Sequence, residues 1–195
     1  FIMIFVSGMS FKETFALIGI GGVAGTIGIF SSDYRTERFI SFLDPWKYAN
    51  DEGYQLVHSL YALGSGGLFG VGLGNSKQKA LYMPEPHNDF IFSIICEELG
   101  LFGAFAIIML FVILLWRFMV IANNASDLLG ALLVVGVMGH IAIQVILNIA
   151  VVTNTIPNTG ISLPFISYGG SSVMFLLIEI GLVLSVARGI RLKDL

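Results

Sequence analysis

The sequence predicts an all-α fold, a polytopic integral membrane helical bundle with one large extracellular loop, and three observations lead there. Of 195 residues, 56% are hydrophobic and 12% charged, with a mean hydropathy of +0.88. A soluble domain carries about 25% charged residues, and a soluble fold of this size has too little interior for so much apolar surface. The apolar residues also fall in runs near the ~20 residues that a helix needs to cross hydrocarbon. Much of the remaining charge gathers in a single stretch, 31–88.

Taken in order, Phe1–Met9 reads as the tail of a helix, Lys12 and Glu13 as a short polar break, and Thr14–Phe30 as a second apolar run. Residues 1–30 are therefore assigned to spanning helices. Gly21 and Gly25 form a GxxxG there, a spacing that permits close helix approach. The chain opens inside an apolar run with no charged segment or cleavage site before it, which is not the pattern of a signal peptide. We expect it to be a fragment, one membrane domain over 1–195 with further helices upstream.

Residues 31–88 are too long and too charged for a connector, since loops above about 12–15 residues tend to be functional or disordered. Phe42, Trp46, Tyr54, Tyr61, Phe69 and Tyr82 argue for order. Tyr54–Leu63 fits a short amphipathic helix lying in the interface, and the glycines at 64, 66, 67, 70, 72 and 74 then break regular structure. The next helix is expected over 89–122, its most apolar stretch Leu99–Trp116 closed by Arg117, with Ser126 or Asp127 as the N-cap of a further helix over 128–152. A polar loop, 153–172, and a last helix, 173–188, complete the chain. Basic residues in short loops mark the cytoplasmic side. Arg188, Arg191 and Lys193 therefore place the C-terminus inside, which puts the 117–127 turn inside and both 31–88 and 153–172 outside.

Five constellations carry possible chemistry. In Pro84-Glu85-Pro86-His87-Asn88-Asp89-Phe90-Ile91-Phe92, two prolines stiffen the approach to a helix. Asp89 then stands at the helix N-terminus, either as a cap accepting backbone N–H groups or as a catalytic carboxylate, a general base or metal ligand. Glu97 and Glu98 are adjacent acids within a spanning helix, where a carboxylate faces the protein interior and pairs with a base. His140, Gln144 and Asn148, spaced by four, share one helix face as interhelical glue or as a groove lining. The TNTIPNTGISLPFISYGGSS loop offers backbone groups and hydroxyls, Ser167 and Ser171 among them, to phosphate or sugar oxygens. Arg35, Arg38, Lys77 and Lys79 are either solvated charges or the holders of a pyrophosphate head group.

Other chemistries are excluded or unsupported. Cys96 is the only cysteine, so an internal disulfide and a cysteine metal cluster are impossible. GxSxG, HExxH and Walker A motifs are missing, and no basic stripe points to nucleic acid.

FLDPWKYANDEGYQLVHSLYALGSGGLFGVGLGNSKQKALYMPEPHNDFIFSIICEELGLFG resembles the large extracellular loop and following helix of the SEDS family, the FtsW/RodA/SpoVE type of peptidoglycan glycosyltransferase. ISLPFISYGGSS resembles that family's last extracellular loop. The likeness runs through nearly all of Arg38–Arg188 and lies nearer FtsW and SpoVE than RodA. It implies the C-terminal half of a ten-helix fold in the bacterial cytoplasmic (inner) membrane. It also implies polymerisation of lipid II into glycan strands, release of undecaprenyl pyrophosphate, a class B penicillin-binding protein as partner, and a divalent cation, Mg or Mn, as cofactor. The family's essential aspartate maps onto Asp89. Asn88 stands where the family more often has threonine, and Glu179 is unusual for the last helix. A lipid II flippase and a non-catalytic scaffold for a transpeptidase are the alternatives.

Overall fold

In the computed structural model the described residues are 2–6, 8, 10–31, 33–51, 53–83 and 88–190. Glu52, the Pro84–His87 part of the motif before Asp89, and the basic tail residues Arg191 and Lys193 lie outside them. The regular elements are all helical: α1 (Ile2–Val6), α2 (Phe11–Phe30), α3 (Asp33–Leu43), α4 (Tyr54–Gly66), a π-helical turn (Gln78–Tyr82), α5 (Ile91–Asn123), α6 (Leu128–Val152) and α7 (Gly170–Gly189). Among the described residues three helices are long and apolar enough to cross a membrane, namely α5, α6 and α7. Their outward faces are apolar: Leu110, Trp116, Leu128, Leu129, Phe175 and Leu184 are all exposed.

Local chemistry sets the ends. Lys12 and Glu13, read above as a polar break, form the first turn of α2: the Ser10 N–H donates to Glu13 Oε2 at 3.0 Å, half of a capping box. Asp127 Oδ2 accepts the Gly130 N–H at 3.1 Å and caps α6. The interfacial helix expected over Tyr54–Leu63 begins at Tyr54 and runs three residues further, because two glycines do not stop it until Gly67 turns to φ 56°. The last helix starts at Gly170, ahead of the expected 173. Helix α3 was not expected. Its charged first half hides an apolar second half (Phe39, Ile40, Phe42, Leu43) that follows helical spacing.

The chain forms two compact units. In one, composed of Phe1–Gly25, Leu110–Ile143 and Gly170–Leu195, small residues on α6 admit close neighbours. A Cβ on Gly136 or Gly139 would meet Met3 or Ile2 of α1, and one on Gly130 would meet Val186 of α7 at 3.2 Å. Val134, Ile141, Leu176 and Val183 are its buried centre. The other unit, Thr26–Met109 and Gln144–Gly169, has Leu56, Val57, Ala62, Phe92, Ile94, Val152 and Leu163 at its centre. There the buried Ser59 hydroxyl of α4 donates to the Val152 carbonyl at 3.1 Å.

The expected uninterrupted helix over 89–122 is broken at Gly100 (φ 67°, ψ −164°). The break frees backbone groups, and the glycine-rich segment after α4 takes them up. Val71 N–H donates to the Glu97 carbonyl at 2.9 Å, and Gly72 N–H to the Glu98 carbonyl at 3.0 Å. In the other direction Leu101 N–H donates to the Gly67 carbonyl at 3.0 Å, and Phe102 N–H to the Leu68 carbonyl at 3.3 Å. Backbone runs against backbone here. A Cβ on Gly66, Gly70 or Gly100 would strike main-chain atoms of the facing segment. In an apolar setting every peptide group needs such a partner, so the break is satisfied by a segment about thirty residues earlier in the chain.

Candidate functional site

Asp89 stands two residues ahead of Ile91, the first residue of α5, and is partly exposed. The turn beneath it is stitched to the loop that follows α6. Asn148, fully buried, donates from Nδ2 to the Asp89 carbonyl at 2.7 Å and to the Ile161 carbonyl at 2.8 Å. Ser167 donates to the Asn88 carbonyl at 2.8 Å while accepting the Leu163 N–H at 2.8 Å. Its hydroxyl is buried and committed internally, so it holds the Asp89 turn in place. The Leu163–Ser167 stretch also closes on itself, with Ser167 N–H donating to the Leu163 carbonyl at 3.0 Å. Phe165 sits there at φ 63°, a costly conformation for a bulky residue.

Above this base the carboxylate faces a glycine. A Cβ added to Gly160 would stand 3.7 Å from Asp89 Oδ2, in ordinary contact. Gly160 has φ 70°, and its N–H donates to Asn158 Oδ1 at 3.1 Å. The Arg38 guanidinium of α3 reaches the Asn158 carbonyl at 3.4 Å. Asp89 and Arg38, 51 positions apart in sequence, are thus brought to one three-residue loop, 158–160.

The other predicted residues fall in separate places. Arg35 donates to the Gly28 carbonyl at the end of α2, at 2.7 Å. Lys77 and Lys79 gather at the paired acids: Lys77 N–H donates to Glu97 Oε1 at 3.1 Å, and Lys79 Nζ lies 4.0 Å from Glu98 Oε1. Of the two acids, Glu98 has the basic partner. Glu97 is 2% exposed and accepts instead from the Ser76 hydroxyl and the Lys77 amide. Gln144 leaves its Oε1 buried without a hydrogen bond among the described residues. Ser171 is exposed in the first turn of α7. His140 belongs, with Glu179, to the other unit: His140 Nδ1 lies 2.8 Å from Glu179 Oε1. Glu179, like Glu97 and Glu98, was expected to pair with a basic residue, and His140 is the partner that the sequence did not name.

Asn158 and Gly160 are the residues that sequence reasoning missed as individual site components, and the Ser76 partner of Glu97 was missed with them. Asn-Thr-Gly is a turn signal, which marked a loop at 158–160 but not what the loop faces. Glu97 meets Ser76 across 21 positions, a separation with no local signature.

These features define a helical membrane protein whose carboxylate, guanidinium and ordered loop converge where its longest apolar helix begins. The chain belongs to the FtsW/RodA/SpoVE family of cell cycle proteins, which matches residues 1–192. It is 50% identical over 188 residues to stage V sporulation protein E of Bacillus subtilis, covering 96% of this chain and 51% of that protein. It is 47% identical over 170 residues to the probable peptidoglycan glycosyltransferase FtsW of Coxiella burnetii, covering 85% and 46%. In structure it resembles a chain of a peptidoglycan synthase complex that coordinates polymerization and crosslinking, with TM-score 0.73, 28% identity, and 96% and 52% coverage. It also resembles the rod shape determining protein RodA of Thermus thermophilus, with TM-score 0.59, 29% identity, and 96% and 45% coverage. The chain spans about half the length of the relatives it matches.

Proposed function

We propose that this chain carries the catalytic half of a peptidoglycan glycosyltransferase that polymerises lipid II at the outer face of the bacterial cytoplasmic membrane. The observation that carries this reading is the Asp89 turn, held from below by Asn148 and Ser167 with its carboxylate against Gly160. A helix cap needs no such second anchorage, whereas a reacting carboxylate needs its position fixed. Family membership supports the same reading.

The acceptor sugar hydroxyl must lose a proton as it attacks the anomeric carbon of the donor, and Asp89 receives that proton. The bond from the anomeric carbon to the lipid pyrophosphate breaks, and undecaprenyl pyrophosphate leaves. Its charge falls to cations of the 31–88 segment: Arg38, which shares the 158–160 loop with Asp89, and Lys77. Gly160 lets a sugar approach the carboxylate, since a side chain there would occupy that space. Lys79, on the turn that follows Lys77, has a secondary role in binding.

Among the described residues no group of three or more His, Cys, Asp and Glu side chains is placed to hold a metal ion. Asp89 would hold a Mg or Mn ion there as a single protein ligand, with substrate phosphates and water completing its shell, the usual way magnesium is bound. Such an ion would neutralise charge on the departing pyrophosphate.

The class B penicillin-binding protein and the inside/outside assignment given above remain part of this proposal. The test is Asp89→Asn in the full-length protein, purified and supplied with lipid II in proteoliposomes. Asparagine caps a helix about as well as aspartate, but it cannot take a proton at neutral pH. The expected loss of polymer is at least ~100-fold with the fold intact, the scale of a lost general base. A folded variant that polymerises near the unmodified rate refutes the assignment. A wild-type protein that moves labelled lipid II across the bilayer and forms no polymer is a flippase, and one that does neither is a scaffold.

A further inference from the structure

The segment that carries Lys77 is built around a carboxylate that the reaction above does not use. Glu97 lies on α5 just before the Gly100 break and is 2% exposed. Its Oε2 accepts the Ser76 hydroxyl, and its Oε1 accepts the Lys77 N–H at 3.1 Å. Ser76 Oγ in turn accepts the Lys79 N–H at 3.0 Å. The N–H groups of Lys77, just before the π-helical turn, and of Lys79, inside it, which the turn's own carbonyls cannot reach, are thus satisfied by one Glu–Ser pair. The same stretch of α5 fastens the preceding residues by backbone, through the Glu97 and Glu98 carbonyls.

The result is directional. A buried carboxylate requires compensating donors, and Glu97 draws a hydroxyl and an amide N–H from the Ser76–Lys77 corner. Above that corner the Lys77 side chain is exposed, and its ammonium meets no carboxylate among the described residues. Lys79 is half-exposed and shared with Glu98. The helix that begins beside Asp89 therefore also holds, two turns along, the base of an exposed cation.

We propose that Glu97 is a positioning residue: it fixes the Ser76–Lys79 turn so that the Lys77 ammonium is presented to the pyrophosphate of the lipid-linked substrate. This rests on the glycosyltransferase reading given above.

The experiment compares Glu97→Ala, Glu97→Gln, Lys77→Ala and the Glu97→Ala/Lys77→Ala double variant, each full-length in proteoliposomes. Polymerisation is measured against lipid II concentration. Glu97→Ala and Lys77→Ala should each raise KM at least about tenfold, the worth of one charge-assisted hydrogen bond, with kcat within about threefold of the unmodified protein. Glu97→Gln should stay within about twofold, because its oxygen still accepts the Lys77 N–H and its amide donates to Ser76. The double variant should be no worse than the poorer single, since both changes remove one interaction. Multiplying effects, or a fall in kcat at constant KM, overturn the proposal. If Glu97→Ala does not accumulate, Ser76→Ala decides: a rise in KM of about threefold is expected, and an unchanged KM overturns the idea. A separate readout needs no catalysis. With Cys96→Ser, the thiol of Lys77→Cys should be labelled at a rate that changes when Glu97→Ala is added and not when Glu97→Gln is added. A labelling rate indifferent to both means that Glu97 does not hold the turn, whatever reaction the protein performs. A changed rate with lipid II use unaltered means that Lys77 does not serve the pyrophosphate and overturns the proposal, whereas an unmodified protein that makes no polymer places the failure in the glycosyltransferase reading.

Discussion

Asn148→Ala is the sharpest test of the Asp89 anchorage. The side chain is fully buried and donates two short hydrogen bonds, at 2.7 Å to the Asp89 carbonyl and at 2.8 Å to the Ile161 carbonyl. Truncation removes both donors from two part-buried carbonyls. A buried polar group that loses its partner costs about 1–3 kcal/mol, and partial exposure sets each of these toward the lower end. Partial relaxation of the loop brings the expected total to about 2–4 kcal/mol of local stability. That is enough to loosen the 88–91 turn from the 158–163 loop while α5 and α6 persist. A displacement of about 1 Å at a reacting group costs ~100-fold in rate, so polymerisation should fall by that order with a modest drop in melting temperature. Asn148→Asp should do worse than alanine, because it keeps the volume and turns an acceptor toward two carbonyl oxygens. The assays are fluorescence-detected size exclusion across a temperature series and lipid II polymerisation in proteoliposomes. Near-normal activity with an unchanged melting temperature in Asn148→Ala would refute the reasoning.

Gly100→Ala should lower the melting temperature clearly and reduce the folded yield, because φ 67° with ψ −164° is essentially confined to glycine and the methyl would strike the Gly70 and Leu68 backbone; an unchanged yield and melting curve count against the break. His140→Leu should destabilise more than the double variant His140→Leu/Glu179→Leu, since removing one partner strands a carboxylate in a spanning helix; thermal melting decides, and a double variant below the single contradicts this. Ser126→Cys, in a Cys96→Ser background, should resist a membrane-impermeant thiol reagent applied from outside to intact cells and react once the inner face is exposed; labelling from outside overturns the orientation.

The helices α5, α6 and α7 were legible because hydrocarbon imposes both a length and a composition, and Leu128–Val152 matches the expected 128–152. The start of α4 at Tyr54 was legible for a related reason: a polar turn before an amphipathic run is a local signal. The Gly100 break was not. Its residues sit inside an apolar run, and its cause lies in the 66–72 segment, so nothing near residue 100 announces it. The same holds for the site. The motif around Asp89 was readable as either a cap or a reacting group. What favours the second reading is the contact of Asn148, Ser167 and Gly160 with the 88–89 turn, which only the folded chain displays. Glu98–Lys79 followed from the rule that an acid in a spanning helix seeks a base. Glu97 went the other way, to a hydroxyl and an amide, because donors need not be charged to satisfy a carboxylate.

The paired backbones at the Gly100 break also restrict how this chain can vary in length. Residues 67, 68, 71 and 72 are matched one to one with 101, 102, 97 and 98. One residue inserted or deleted between 67 and 72 would shift that register, put a Cβ where glycine now passes, and strand peptide groups next to hydrocarbon. The 66–74 stretch looks like a permissive glycine loop, yet its spacing is as fixed as that of a strand in a sheet. The turn residues 44–51, whose backbone bonds among the described residues are local, carry no such ruler. Tags, reporters and epitope insertions therefore belong at 44–51, and the glycine segment should be left at its natural length.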